Sequence, residues 1–218
     1  MARIPRIVVP SYPHHLTQRG VRSMDVFDND ADRIFYLRLV REHTERCGVE
    51  ILAWCLMTNH VHFVAIPEKE SSLAKAFGEA HRLYTRMKNF QNEVRGYLFQ
   101  GRFGSCVLDE KHLIAAARYI EQNPVRANIV TTPGDYKWSS AQFHLGTSHS
   151  DILVSDRSML GLVKDWHELL TSGNKIANER LRAGVRIGRP MGDETFVCKI
   201  ESATGLKLHK DKVRRKVG

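Results

Sequence analysis

Two apolar runs separated by a short polar break constrain the fold of this chain more than any other feature. Residues 49–67, with the sequence VEILAWCLMTNHVHFVAIP, are apolar on both sides of Met57-Thr58-Asn59. Each run has the length of a buried strand, and so short a connection joins neighbouring strands that run in opposite directions. The sequence therefore predicts a β-hairpin, and with it an antiparallel sheet.

The segments around this hairpin carry alternating strand and helix patterns. Gly48 and Pro124 are typical of positions where helices end, and Asp109 is typical of a helix N-cap. The predicted elements are an irregular strand at 6–20, a helix at 31–48, a helix from Ser71 to about Phe90, a strand within 96–108 and a helix from Glu110 to about Asn123. With the hairpin, this order indicates an α+β fold with helices on an antiparallel sheet. Beyond Arg157 the pattern is helical.

The charge of the chain is unevenly distributed. Among 218 residues, 33 Lys and Arg oppose 24 Asp and Glu, giving +9. The residues after Gly173 contain twelve Lys and Arg against five Asp and Glu, a net of +7, whereas the first 173 residues carry only +2. An excess of this kind indicates a polyanionic partner, nucleic acid before membrane, held by a basic appendage; the alternative is a solvated helix surface.

Membrane insertion and disulfide frameworks are not indicated. No apolar run approaches the roughly 18 residues of a membrane span, and the start of the chain lacks the apolar core of a signal peptide. The four cysteines are scattered without a Cys-x-x-Cys pair, which argues against disulfides and against a cysteine zinc site. We expect a cytoplasmic protein that associates with the nucleoid when bound to DNA.

The second strand of the hairpin contains the first candidate site. His60 and His62 are two residues apart, so on a strand both imidazoles project from one face while Val61 points to the other. Two nitrogen ligands placed in this way can hold one divalent metal. Ordinary strand histidines remain the alternative, because eleven histidines in a chain of this length make such a spacing common by chance.

The helix that begins at Glu110 contains the second candidate. At 100° per residue, Tyr119 and Asn123 lie together along one border of its apolar stripe. Tyr119 can then present its hydroxyl at the sheet edge, and the Asn123 amide oxygen is available as a third metal ligand. A boundary tyrosine followed by a helix-ending asparagine is the alternative interpretation.

Three ordered motifs together resemble a known family. Residues 54–64 (WCLMTNHVHFV), 118–128 (RYIEQNPVRAN) and 136–140 (YKWSS) resemble the REP-associated tyrosine transposases, which are related to single-stranded-DNA insertion-sequence transposases of the HUH (His-hydrophobic-His) nuclease superfamily. Residues 14–20 (HHLTQRG) fit the same resemblance, which covers roughly residues 5–145.

The resemblance implies a fold, a chemistry and a substrate. The fold is a ferredoxin-like or RRM-like antiparallel sheet backed by helices, here followed by a basic, mainly helical C-terminal extension. His60 and His62 correspond to the metal-binding pair and Tyr119 to the nucleophile, and Asn123 stands where relatives often have Gln. An amide oxygen suits Mg²⁺ or Mn²⁺. Attack by Tyr119 on single-stranded DNA beside a palindromic hairpin leaves a 5′-phosphotyrosyl link and a free 3′-hydroxyl.

DNA binding requires phosphate contacts and stacking surfaces. We expect at most one of His14 and His15 to approach the site, because adjacent strand residues point to opposite faces. Phe99 and Phe103 are candidate stacking residues. The predicted DNA contacts are Arg19, Arg22, Arg82, Arg86, Lys88, Arg102, Arg126, Trp138, Arg186, Arg189, Arg214 and Arg215.

These inferences give a catalytic domain at residues 1–147 and a DNA-binding extension at residues 148–218. The function expected is that of a metal-dependent endonuclease and strand transferase, working as a monomer, with a dimer as the alternative. Two other functions are compatible with the sequence. One is a hairpin-binding regulator on the same fold without catalysis, and the other is a His-ligated hydrolase that activates water and forms no covalent intermediate.

Overall fold

A four-stranded antiparallel sheet forms the centre of the protein. The computed structural model describes residues 6–155, 158–172 and 175–208. The strands are β1 (His14–Arg19), β2 (Val49–Met57), β3 (His60–Pro67) and β4 (Gly104–Val107), in the order β2-β3-β1-β4. Each neighbouring pair is antiparallel, and β2 and β3 form the predicted hairpin. Both the α+β class and the ferredoxin-like arrangement are confirmed.

Eight α-helices are found among the described residues. They are α1 (Asp30–Cys47), α2 (Ser72–Gln91), α3 (Glu110–Glu121), α4 (Asn123–Arg126), α5 (Ala141–His144), α6 (Trp166–Thr171), α7 (Lys175–Ile187) and α8 (Glu194–Thr204). Gly48 ends α1 in the left-handed conformation, with φ of 63°. The Asp109 carboxylate accepts a hydrogen bond from the His112 backbone N–H at 2.7 Å, as expected of an N-cap.

The start of α2 is fixed by a contact with α1 and not by a side-chain cap. Ser71 occupies the N-cap position without a side-chain capping hydrogen bond. The hydroxyl of Ser72 instead donates to the Cys47 carbonyl at 2.6 Å, which fastens the start of α2 to the end of α1.

The sheet has a separate helical layer on each face. One core contains α1 and α2 against Val61 and Phe63 of β3, and the other contains α3 and α7 against Val64 of the same strand. Because side chains alternate along a strand, His62 projects to the same face as Val64, toward α3. The fold thus brings the histidine pair and the predicted nucleophile helix to one face.

The C-terminal part contains a 3₁₀ segment (Ser158–Leu162) followed by α6, α7 and α8, in agreement with a mainly helical extension. Leu181 and Val185 of α7 are buried in the core formed by α3 and the sheet. The backbone N–H of Met191 donates to the Val107 carbonyl of β4 at 2.8 Å. The extension is therefore packed on the sheet, and its assignment as a separate domain stays a prediction. Among the described residues, no helix combines the length and apolar character needed to cross a membrane.

Candidate active site

A cleft of about 940 Å³ lies at the end of the sheet where β1 ends and β3 begins. Arginine dominates its lining, and no Asp or Glu occurs among the described residues that line it. The five arginines are Arg19, Arg102, Arg126, Arg182 and Arg186. Such a lining attracts polyanions and repels a cation unless an anion is bound with it.

Three histidines stand together at the base of the cleft. The rings of His60 and His62 are 5.0 Å apart between centroids and nearly perpendicular. His15 on β1 lies beside them, with its Nε2 3.0 Å from Nδ1 of His62. On the other side, Nδ1 of His60 donates to the Asn59 side-chain oxygen at 2.6 Å, which leaves Nε2 of His60 with its lone pair.

All three imidazoles are held in the neutral form. Burial, reinforced by the charges of Arg19, Arg126 and Arg182, lowers the pKa of His60 to about 4. Burial lowers the pKa of His15 to about 3. The pKa of His62 is well below its ordinary value, first because it is buried and then because of the neighbouring histidines and arginines. Neutral imidazole is the form that ligates metals.

Tyr119 lies directly against this histidine group. Its ring centroid is 5.7 Å from that of His62, and the ring is only 4% exposed. The hydroxyl accepts a hydrogen bond from Nε of Arg182 on α7 at 3.0 Å. The guanidinium carbon of Arg126 lies 4.1 Å from the centroid of the same ring. Two cations therefore approach the phenol, and both stabilise negative charge that develops on its oxygen.

Arg126 is a half-buried cation with spare donors. One of its terminal nitrogens donates to the Asn123 side-chain oxygen at 2.5 Å. Its Nε and its other terminal nitrogen are buried without a hydrogen-bond partner among the described residues. Burial lowers the pKa of Arg126, although the nearby Tyr119 raises it. Unpaired donors of this kind are suited to the oxygens of a phosphate.

The donor set can be tested against the metal that the resemblance implies. His60 is neutral with Nε2 available, and Nδ1 of His62 is engaged with His15, so both residues fit as nitrogen ligands. Asn123 is buried, and its amide oxygen already accepts from Arg126 while its Nδ2 has no partner among the described residues. No group of three or more His, Cys, Asp or Glu that could hold a metal is found in the described ranges. The residues therefore fit a metal that takes two imidazoles and completes its shell with amide, phosphate and water oxygens.

The predicted DNA contacts are only partly brought together. Arg19, Arg102, Arg126 and Arg186 line the cleft. Arg22, Arg82 and Arg86 are exposed outside it, and Arg189 donates to the Leu208 carbonyl at 2.9 Å. Arg214 and Arg215 lie outside the described residues.

Lys88 requires a correction. It is only 3% exposed, and its ammonium donates to the carboxylates of Asp28 at 2.6 Å and Asp32 at 2.8 Å. Burial alone would lower the pKa of Lys88, but these hydrogen bonds raise it. Lys88 therefore connects α2 to the start of α1 and is not placed to contact phosphate.

The aromatic residues predicted to stack on bases are also placed differently. Phe99 and Phe103 are buried in the core under α1 and α2. Trp138 is half-buried away from the cleft, and its carbonyl accepts from the Leu56 N–H at 2.9 Å, so its segment covers the outer edge of β2. Tyr84 is buried on the opposite face, where its hydroxyl donates to the Val26 carbonyl, so it is not placed to act as a nucleophile in the cleft.

Sequence reasoning missed Arg182, which touches the Tyr119 hydroxyl. A usable signal was present, because Arg182 and Arg186 are four residues apart and each follows a buried apolar residue, Leu181 or Val185. His15, by contrast, fulfils the expectation that one of the paired histidines approaches the site. His14 is held elsewhere by backbone groups, because its Nδ1 donates to the Tyr12 carbonyl at 2.7 Å and its Nε2 accepts from the Val9 N–H at 3.1 Å.

A family model and two solved structures are similar to this chain. A family model described as IS200-like transposase matches residues 9–123, a range that includes His60, His62, Tyr119 and Asn123. A solved structure of a REP-associated tyrosine transposase bound to a REP hairpin has a similar fold, with a TM-score of 0.58 and 18% identity over 72% of this chain and 96% of that chain. A putative transposase from Deinococcus radiodurans R1 gives a TM-score of 0.38 and 20% identity over 56% of this chain and 97% of that chain. None of the curated proteins matches the chain.

Proposed function

Because the chain belongs to the IS200-like transposase family, we propose that it cleaves and rejoins single-stranded DNA beside a palindromic hairpin through a covalent bond to Tyr119. One observation carries the proposal: a tyrosine hydroxyl, a neutral histidine pair and arginine side chains converge in one cleft that has no acidic residue among its described lining. A module that only binds DNA does not require that combination.

The proposed reaction starts with a phosphodiester held by the arginines of the cleft. The unpaired donors of Arg126 bind its non-bridging oxygens, so the negative charge is offset beside the Tyr119 ring. The Tyr119 oxygen attacks phosphorus as its proton passes to water, and the bond from phosphorus to the 3′-oxygen breaks. The 3′-oxygen takes up a proton and becomes a hydroxyl, while the 5′ end stays on Tyr119.

Rejoining is the reverse displacement. A DNA 3′-hydroxyl attacks the phosphorus of the phosphotyrosine and loses its proton to water, the bond from phosphorus to the Tyr119 oxygen breaks, and the phenol oxygen takes up a proton from water. The energy of the original phosphodiester is kept in the covalent link, so no nucleotide triphosphate is required. Arg182 is suited to both cleavage and rejoining, because its Nε already donates to the Tyr119 oxygen, which is the nucleophile in one direction and the leaving group in the other. The hydrogen bond with Tyr119 also raises the pKa of Arg182, so the guanidinium stays charged.

The metal proposed is Mg²⁺ or Mn²⁺, held by His60, His62 and the Asn123 amide oxygen. When bound, it supplies Lewis acidity that polarises the scissile phosphate. His15 orients His62 through their ring nitrogens, and Asn59 does the same for His60.

The test uses a pool of hairpin oligonucleotides with randomised single-stranded flanks and a label at the 3′ end. With Mn²⁺ or Mg²⁺, the protein is expected to retain label through denaturation, and the Tyr119→Phe variant is expected to lose it. Tyr12→Phe is the matched control, because the Tyr12 ring packs on Phe196 outside the cleft. Binding without any adduct under either metal would instead favour the non-catalytic regulator. Cleavage without an adduct would favour a hydrolase that uses water.

A further inference from the structure

Two aromatic side chains stand almost fully in solvent near the end of α2. Phe90 and Tyr97 are each 87% exposed, the highest values among the large apolar side chains of the described residues. Val94, between them in sequence, is 53% exposed. Scattered apolar residues on a surface need no explanation, but two aromatic rings this exposed within eight positions form a surface that a partner can use. We call Phe90, Val94 and Tyr97 the aromatic surface.

The backbone that carries this surface is fixed by hydrogen bonds. The Val94 N–H donates to the Asn89 carbonyl at 3.0 Å, and the Asn89 side-chain amide donates to the Gly96 carbonyl at 2.9 Å. Immediately after Tyr97, the Leu98 carbonyl accepts from the Val21 N–H at 2.9 Å. The rings are therefore presented by a structured segment, which reduces the entropy lost when a ligand binds.

A short stretch of chain connects the aromatic surface to the cleft. Gly20 and Phe99 form a β-bridge, and the Gln100 N–H donates to the Arg19 carbonyl at 2.8 Å. Gln100 and Arg102 then line the cleft. Tyr97 precedes Gln100 by three residues. At about 3.3 Å per residue for a fully extended chain, they are separated by at most roughly 10 Å, on the order of two or three nucleotides of a DNA strand.

Exposed arginines flank the aromatic surface along the chain. Arg86 is one helical turn before Phe90, and Arg95 lies between Val94 and Tyr97 in the sequence. Arg22 follows Val21, whose backbone N–H donates to the Leu98 carbonyl. All three are exposed, and none of them forms an ion pair with another described residue. Two exposed carboxylates, Asp25 and Glu93, lie in the same segments, so the balance is cationic without being uniform.

We propose that the aromatic surface binds single-stranded DNA that continues out of the cleft, with bases stacked on Phe90 and Tyr97 and phosphates beside the arginines. This inference rests on the proposed function. Aromatic rings interleaved with cations are the combination that holds single strands without sequence preference. A second copy of this chain fits less well, because a symmetric contact would bring the same arginines toward each other.

The test measures binding of dT20 by fluorescence anisotropy at several salt concentrations. Tyr97→Phe keeps the ring, whereas Tyr97→Leu keeps apolar area without a π face. We expect Tyr97→Phe to bind within about twofold of the unmodified protein, and Tyr97→Leu and Phe90→Leu each to bind about tenfold more weakly. Leu162→Ala, at a residue 49% exposed elsewhere on the chain, should leave the affinity unchanged. Equal affinities for the Phe and Leu variants at position 97 would overturn the proposal.

Two further measurements test whether the arginines contact phosphate and whether the surface instead binds a second copy of the chain. Arg95→Gln is expected to reduce the slope of log affinity against log salt by about 0.7, the value for one phosphate on a single strand. Sedimentation velocity identifies self-association: if the Leu variants change the sedimentation coefficient and not the dT20 affinity, the surface contacts another copy and the proposal is wrong. Failure of the proposed function is a separate result, because dT20 has no hairpin and its binding requires no adduct at Tyr119.

Discussion

Replacing Lys88 with methionine tests whether this lysine supports the fold or contacts DNA. Lys88 is buried, and its ammonium bonds the carboxylates of Asp28 and Asp32. Methionine has a similar length and no charge, so Lys88→Met fills the same space while removing the cation. The Asp32 side chain is 3% exposed and would then be a buried carboxylate without its countercharge.

The expected destabilisation follows from the surroundings of Asp32. Breaking a buried ion pair by removing one partner costs about 3 to 5 kcal/mol. Asp32 keeps a hydrogen bond from the Asp28 N–H at 2.9 Å and lies in the first turn of α1, where the helix dipole favours a negative charge. We therefore expect a loss of about 3 kcal/mol, which at an m value of about 2.5 kcal/mol/M lowers the urea midpoint by about 1.2 M.

The assay combines urea unfolding with the salt dependence of dT20 binding. Lys88→Met should shift the midpoint and leave the salt slope of the folded protein unchanged. Arg102→Gln, at an exposed arginine of the cleft, should do the reverse and reduce the slope by about 0.7. The double variant Lys88→Met with Asp32→Asn should recover part of the stability, because no unpaired charge remains. An unchanged midpoint with a reduced slope for Lys88→Met would refute the structural role.

Three further predictions concern stability and binding. Burial lowers the pKa of His81 to about 3, below the 6.5 of the unfolded chain, so the unfolded state binds more protons between those values and stability falls as pH falls. His81→Phe should therefore reduce the slope of unfolding free energy against pH by up to about 1.4 kcal/mol per pH unit, measured by urea titrations from pH 7 to pH 4. The same substitution leaves the Tyr36 hydroxyl without its hydrogen-bond partner, which lowers stability at every pH. Arg126→Met should weaken dT20 binding, because a cation of the cleft and its unpaired donors disappear; unchanged binding would contradict this. Ser140→Ala should cost about 2 kcal/mol with DNA affinity unchanged, because it leaves the buried Glu121 carboxylate without the 2.6 Å hydrogen bond from that hydroxyl.

The sheet and the histidine pair could be predicted because their signals are local. The hairpin follows from two apolar runs around Thr58 and Asn59, and strand alternation then puts His60 and His62 on one face. The end of α1 at Gly48 and the cap at Asp109 depend on one residue each. These are interactions between residues close in sequence, which is where sequence patterns carry most information.

The placement of the basic C-terminal part could not be predicted in the same way. Arg182 meets the Tyr119 hydroxyl across 63 positions, and no local pattern specifies which helix covers which face of a sheet. The charge of the two parts is also not separated in space as the sequence suggested. Arg182 and Arg186 from the C-terminal part line the same cleft as Arg19 and Arg126 from the body.

The error at Lys88 had a signal in the sequence that periodicity could have revealed. Phe77, His81 and Tyr84 are buried on α2, and Lys88 continues their spacing of four, three and four residues. A lysine in such a stripe faces the core and needs a carboxylate partner. The partner itself was beyond prediction, because Asp28 and Asp32 are about sixty positions away and reach Lys88 only through the packing of α1 on α2.

The most direct test of the central claim is to identify the amino acid that becomes joined to DNA. The protein is incubated with hairpin DNA and Mn²⁺, denatured and digested, and the cross-linked peptide is sequenced by mass spectrometry after nuclease treatment. The account predicts a phosphate-linked nucleotide on Tyr119 and its absence from Tyr119→Phe. A nucleotide on another residue, or cleaved DNA with no modified peptide, would contradict the assignment of Tyr119 as the nucleophile.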